Sequence, residues 1–141
     1  MGTVPILIGG VVLVNVLSEA QYEFLLQYIQ LLETVEEGIV LVDQSYQERN
    51  FGSGDKLLAD IIGAFVPFNA SNKTIRTIFS FDSGILAELD KFESLLEQVL
   101  HLNTLYYDQE AKVVFINEFL LPAYKQWKKD IQLKLNEYVL N

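Results

Sequence analysis

The stretch Leu25-Leu26-Gln27-Tyr28-Ile29-Gln30-Leu31-Leu32-Glu33-Thr34-Val35-Glu36-Glu37-Gly38-Ile39-Val40-Leu41-Val42-Asp43-Gln44-Ser45-Tyr46 decides the fold. Within it Leu25, Tyr28, Leu32, Val35, Ile39, Val42 and Tyr46 recur at alternating spacings of three and four. That rhythm puts them on one stripe of a single long helix. Gln27, Gln30, Glu33, Glu36, Glu37, Asp43 and Gln44 cover the opposite face. A helix with one apolar stripe needs partner helices to bury it.

Upstream, Ser18 is placed to cap this helix, with Gln21 at the capping-box position and Glu19 near the positive end of the helix dipole. Before it stand two β-branched runs, Val4 to Ile8 and Val11 to Val16, joined by Gly9-Gly10. Paired glycines accept the positive φ of tight primed turns, so residues 1–17 read as a β-hairpin. A lone apolar ribbon leaves a face and both edges open. It must dock on its own helices or on a second copy, and Val4, Ile6, Ile8, Val12 and Val14 are the candidate self-association residues. The run is too short, and too interrupted by Pro5, the two glycines and Asn15, for a membrane span, and it has no basic start for a signal peptide.

Downstream, Phe51-Gly52-Ser53-Gly54 reads as the first break, with Asp55 capping a second helix. Leu58, Ile61, Phe65, Phe68, Ile75 and Phe79 continue the rhythm there, with Asn72 as an interruption and Pro67 as a bend. Gly38 and Gly63 lie at nearly equal distances from that break, which predicts a close backbone approach between the first two helices. After the turn Ser80 to Gly84, Ile85, Leu89, Phe92, Leu96 and Val99 form a third seam, with Glu88, Asp90, Lys91, Glu93 and Glu97 outside it. A break between His101 and Asp108 precedes a fourth helix that turns Val113, Ile116, Leu120, Tyr124, Trp127, Ile131, Leu135 and Tyr138 inward. Pro122 should bend it near Glu118. The fold is therefore mainly α: an antiparallel up-down four-helix bundle over residues 18–141, preceded by a short N-terminal β-hairpin.

Charge supports that topology. The net charge is −9, no Lys or Arg precedes Arg49, and the first and third helices are acidic while the second and fourth hold nearly all the bases. In an up-down bundle every adjacent pair is then complementary. Nucleic acid is an unsuitable partner, because the one concentrated basic patch, Lys125, Lys128, Lys129 and Lys134, is small and interrupted by Asp130.

Reactive constellations are missing. The chain has no cysteine and one histidine, His101, four residues from Glu97 rather than the three of a Glu-x-x-His di-iron motif. It has no phosphate-cradling glycine loop after a strand. No catalytic residue, metal, cofactor or small-molecule substrate is expected, and the absence of cysteine suits a cytoplasmic location. The densest aromatic zone, Tyr106 and Tyr107 with Phe115, Phe119 and Trp127 nearby, is a core layer with an amphipathic rim or a groove for an amphipathic helix of a partner, for which Tyr106, Tyr107, Phe115 and Phe119 are the candidates.

The segments Leu31-Leu32-Glu33 to Ile39, Asp55-Lys56-Leu57-Leu58-Ala59-Asp60-Ile61-Ile62-Gly63 and Phe119-Leu120-Leu121-Pro122-Ala123-Tyr124-Lys125-Gln126-Trp127 resemble a family of small uncharacterised helical-bundle proteins of Gram-positive spore-formers. The resemblance spans about residues 20 to 135 and implies a helical bundle and no known reaction. In architecture alone it is similar to flagellar-type export chaperones. The expected function is a non-enzymatic protein–protein interaction module, an adaptor or chaperone-like bundle that self-associates, with a homodimer as the simplest form. The alternative is a structural subunit of a larger homo-oligomeric assembly.

Overall fold

A computed structural model describes residues 3–8, 11–102 and 108–139, with the backbone alone for residues 3–8 and 11–16. Two strands come first, β1 (Thr3–Ile8) and β2 (Val11–Ser18). Three long helices follow: α1 (Glu19–Gln47), α2 (Phe51–Ile78) and α3 (Ser83–Leu100). The fourth rod is composite. It begins as α4 (Gln109–Val114), widens into a π-helical segment (Phe115–Leu120), continues as α5 (Leu121–Leu135) and ends in a 3₁₀ turn (Asn136–Tyr138). The four rods form a mainly α bundle in which α1 packs on α2 and α5, and α3 packs on the same two neighbours.

The α1 seam behaves as its spacing requires: Leu25, Tyr28, Leu32, Val35, Ile39, Val42 and Tyr46 are all buried. Burying such a side chain contributes about 1.5–3 kcal/mol relative to leaving it in water. The seams of α3 and of the fourth rod join the same core, including Ile85, Leu89, Phe92, Val99, Ile116, Leu120, Tyr124, Ile131 and Leu135. Ser18 caps α1 through a reciprocal box, its hydroxyl accepting from the Gln21 amide while the Gln21 side chain accepts from the Ser18 amide.

β1 and β2 pair antiparallel in a two-stranded sheet, from Thr3 opposite Ser18 to Ile8 opposite Val11, with a register irregularity between Val4 and Ile6. The ribbon lies beside the C-terminal 3₁₀ turn and the start of α1. Leu17, its last apolar residue, is buried in the bundle core.

Three local expectations are corrected. The first break is Glu48 to Asn50 rather than Phe51 to Gly54: Arg49 takes a left-handed φ of 62°, and Asn50, not Asp55, caps α2 by accepting from the Ser53 amide. Gly52 and Gly54 are therefore helical, and Gly54 is needed for packing, since a Cβ there would lie 2.4 Å from the Tyr46 ring. Gly38 and Gly63 do not meet: a Cβ on Gly38 would touch the end of Ile61, whereas one on Gly63 would meet nothing within 4 Å. Asn72 does not interrupt the α2 seam but occupies it, buried and accepting the Tyr28 phenol proton.

The charge pattern produces cross-rod pairs. Lys128 of α5 reaches Glu33 and Glu36 of α1, Arg76 of α2 reaches Asp90 and Glu93 of α3, and Lys112 of α4 reaches Asp55 of α2. Two lysines of the basic patch, Lys128 and Lys134, are thus engaged inside the fold. Burial alone would lower the Lys128 pKa, but its two glutamates hold it above the ordinary value.

Candidate functional site

Along the seam between α3 and α5 lies a polar centre that periodicity does not show. Glu88 stands three residues after Ile85 and next to Leu89, and its side chain is 4% exposed. Its Oε1 accepts from Lys134 at 2.9 Å and from Lys91 at 3.2 Å, whereas Oε2 is buried and finds no hydrogen-bond partner among the described residues. Burial favours the neutral acid, but the two ammonium groups outweigh it and hold the carboxyl below its ordinary pKa. The expectation that Glu88 lies outside the bundle is therefore corrected.

Trp127 sits over this centre and donates its indole N–H to the Glu88 carbonyl oxygen at 2.7 Å. Its ring packs against Phe92 at 4.7 Å between centroids, Tyr124 at 5.8 Å and Phe68 at 6.1 Å. These contacts give the indole one fixed orientation, with its free side forming the floor of a groove.

The groove is two depressions that meet. One, of about 420 Å³, is lined by Glu88, Lys91, Leu95, Phe119, Ala123, Trp127 and Asp130 among others. The second, of about 490 Å³, lies between the end of α3 and the start of the fourth rod, against Val114, Phe115, Glu118 and Phe119. Gln98 and Phe119 border both, so they form one channel along α3. The π segment shapes its far wall. In this wider winding the Leu121 amide bonds to the Ile116 carbonyl, five residues back, just before Pro122, which has no amide to give. At the position of the bend expected near Glu118 the rod has this wider winding, which presents Phe119, 38% exposed, its ring tilted against that of buried Phe115 at 5.2 Å between centroids.

Of the residues named for a partner groove, Phe115 and Phe119 are thus brought to one wall, while Tyr106 and Tyr107 lie outside the described residues. The side chains of Val4, Ile6, Ile8, Val12 and Val14 also lie outside the description. His101 is an exposed C-cap of α3. Leu95, Gln98, Ala123 and Asp130 had no motif to announce them. The signal that could have pointed to the groove is Trp127 two turns after Phe119, with small Ala123 between them on one helical face.

A second polar cluster ties α1, α2 and α4 together. Asp55 accepts from the Tyr46 hydroxyl at 2.6 Å, from Lys112 at 3.2 Å and from Gln109 at 3.3 Å. Burial raises its pKa, but these donors more than reverse that and leave it lowered. All its donors come from within the bundle, so its geometry is that of a clamp. Among the described residues no helix is long and apolar enough to cross a membrane.

Residues 23–130 match the model of DUF8042, described as a domain of unknown function. Over 125 residues the chain is 23% identical to "Uncharacterized protein YvzG" of Bacillus subtilis (strain 168), a stretch covering 88% of this chain and 98% of that one. No solved structure matches.

Proposed function

We propose that this chain, which belongs to the DUF8042 family, is a non-enzymatic protein–protein interaction module: an adaptor or chaperone-like bundle that offers its α3 groove to a helical segment of a partner. The observation that carries the reading is the groove floor, where Leu95, Phe119, Ala123 and Trp127 line one depression. Single exposed apolar residues are ordinary on a protein surface, but several lining one concavity mark a binding surface. Two long helices facing each other across a shallow apolar channel offer ridges that a third helix can pack into. A cytoplasmic setting fits a chain without cysteine.

The test is a benzophenone side chain placed at position 119 in native cells, compared with one at the exposed Val66 of α2. A discrete crosslinked protein at 119 and not at 66, followed by binding of that purified protein to the wild-type chain, supports the reading. The same products at both positions, or none at 119, overturn it.

Self-association through the hairpin belongs to the same proposal. The sheet has two strands, so β1 and β2 each have one edge without a strand partner among the described residues, and such edges template pairing with another chain. Light scattering of the full chain separates the outcomes. A fixed dimer mass supports the adaptor, and a mass that grows with concentration favours a structural subunit. A monomer at all concentrations, unchanged by Ile6→Lys with Val12→Lys, removes self-association.

A further inference from the structure

We propose that the helix this groove accepts is basic and about three turns long; the proposal rests on the groove reading above and specifies its occupant. The length follows from the channel. Its α3 wall runs from Glu88 to Gln98, ten residue-to-residue steps and so about 15 Å of helix axis.

The sign of the charge follows from the rim. Glu110 and Glu118 border the far depression, Glu88 and Asp130 the near one, and Lys91 is the one base among the lining residues. Glu110 is paired with Arg49, and Glu88 with Lys91 and Lys134, whereas Glu118 and Asp130 form no ion pair among the described residues, Asp130 accepting only from the Gln126 amide. The wall is therefore an apolar strip with one carboxylate lacking a counter-ion beside each depression, Asp130 at the near one and Glu118 at the far one, on a chain whose net charge is −9. Such a field attracts cationic segments and repels acidic ones before contact. A helix with an apolar stripe flanked by Lys or Arg fits both the strip and its rim. An acidic or uncharged helix would cover Glu118 and Asp130 without giving either a counter-ion, which is costly.

Trp127 is the single tryptophan of the chain and lines the groove, so its fluorescence reports occupancy directly. The probes are two synthetic helices of about twelve residues with one leucine stripe, flanked by lysines in one and by glutamates in the other. The lysine peptide is expected to change the Trp127 emission saturably and to bind at least about tenfold more tightly than the glutamate peptide, a gap that narrows with added salt. In the full chain, Glu118→Gln with Asp130→Asn should weaken the lysine peptide about fivefold, and circular dichroism should show the helices intact. Glu37→Gln with Asp60→Asn, two exposed acids on α1 and α2 outside the groove, should leave binding within about twofold.

Equal binding of the two peptides would overturn the basic occupant while leaving a groove that takes helices of any charge. Equal weakening in both variants would overturn it as diffuse attraction to an acidic protein. No saturable response to either peptide, together with no crosslink at position 119, would remove the groove reading itself.

Discussion

The indole N–H of Trp127 donates to the main-chain oxygen of Glu88 at 2.7 Å, so the side chain that floors the groove is fastened to the same turn of α3 whose carboxylate is buried beside it. The groove floor and the Glu88–lysine centre are therefore mechanically one unit. A change that loosens either should be felt in the other.

Lys134→Met should destabilise the protein at pH 7 by about 1–3 kcal/mol, because it leaves the buried Glu88 carboxylate with Lys91 as its sole cation. The pH dependence has a fixed sign. Glu88 titrates lower in the folded chain than its ordinary 4.5, so its contribution is present above that value and is lost as pH falls through the folded pKa. The deficit of the variant should therefore shrink in acid. Urea unfolding at pH 7 and at about pH 3.5 measures it, and an unchanged deficit in acid would refute the account.

Gly54→Ala and Gly63→Ala should move stability in opposite directions. At Gly54 the new Cβ would stand 2.4 Å from two carbons of the Tyr46 ring, and that ring is held by the bond from its hydroxyl to Asp55. Overpacking there should cost about 1–3 kcal/mol. At Gly63 the Cβ meets nothing within 4 Å, so alanine should add about 0.5–1 kcal/mol through helix propensity. Thermal unfolding of the two variants decides the matter.

Tyr28→Phe removes the phenol that Asn72 Oδ1 accepts from, in a place where Asn72 Nδ2 already lacks a partner among the described residues. It should cost about 1–3 kcal/mol by leaving a buried amide wholly unpaired. Adding Asn72→Leu should recover most of that loss, since an apolar pair of similar shape needs no hydrogen bond. A double-mutant cycle in urea reads the coupling, and simple additivity would show that the pair does not act as one.

Ser18→Ala breaks the reciprocal cap at the junction of β2 and α1. About 1 kcal/mol should be lost, and amide exchange should rise first in the opening turn of α1, from Glu19 onward. Uniform protection along α1 would mean that the cap does not hold this end.

The rods were legible in the sequence because apolar spacing reports directly on what faces inward. All seven seam residues of α1 and all eight inward residues of the fourth rod are buried. Two of the errors share one physical origin, a partner far away in the chain. Glu88 reads as a surface acid until Lys134, 46 residues later, is beside it. Asn72 reads as a flaw until Tyr28, 44 residues earlier, donates to it. The first turn was misplaced because Gly52 and Gly54 look like breakers, whereas Asn50 three residues before Ser53 is the stronger local signal. The groove was half legible: Phe115 and Phe119 were aromatic neighbours in sequence, but Leu95 and Ala123 carry no mark of their own and gain a role where α3 and α5 come together.

That winding has a consequence for how such chains can vary. A π turn holds one residue more than an α turn, so losing a single residue between Phe115 and Leu120 would let the rod relax to ordinary pitch while Val113 upstream and Tyr124 downstream kept their angular phase. A deletion of the same size in the middle of α1 would swing half of its seam away from the core. Relatives one residue shorter should carry their gap here, and with it a reshaped binding wall on an unaltered scaffold.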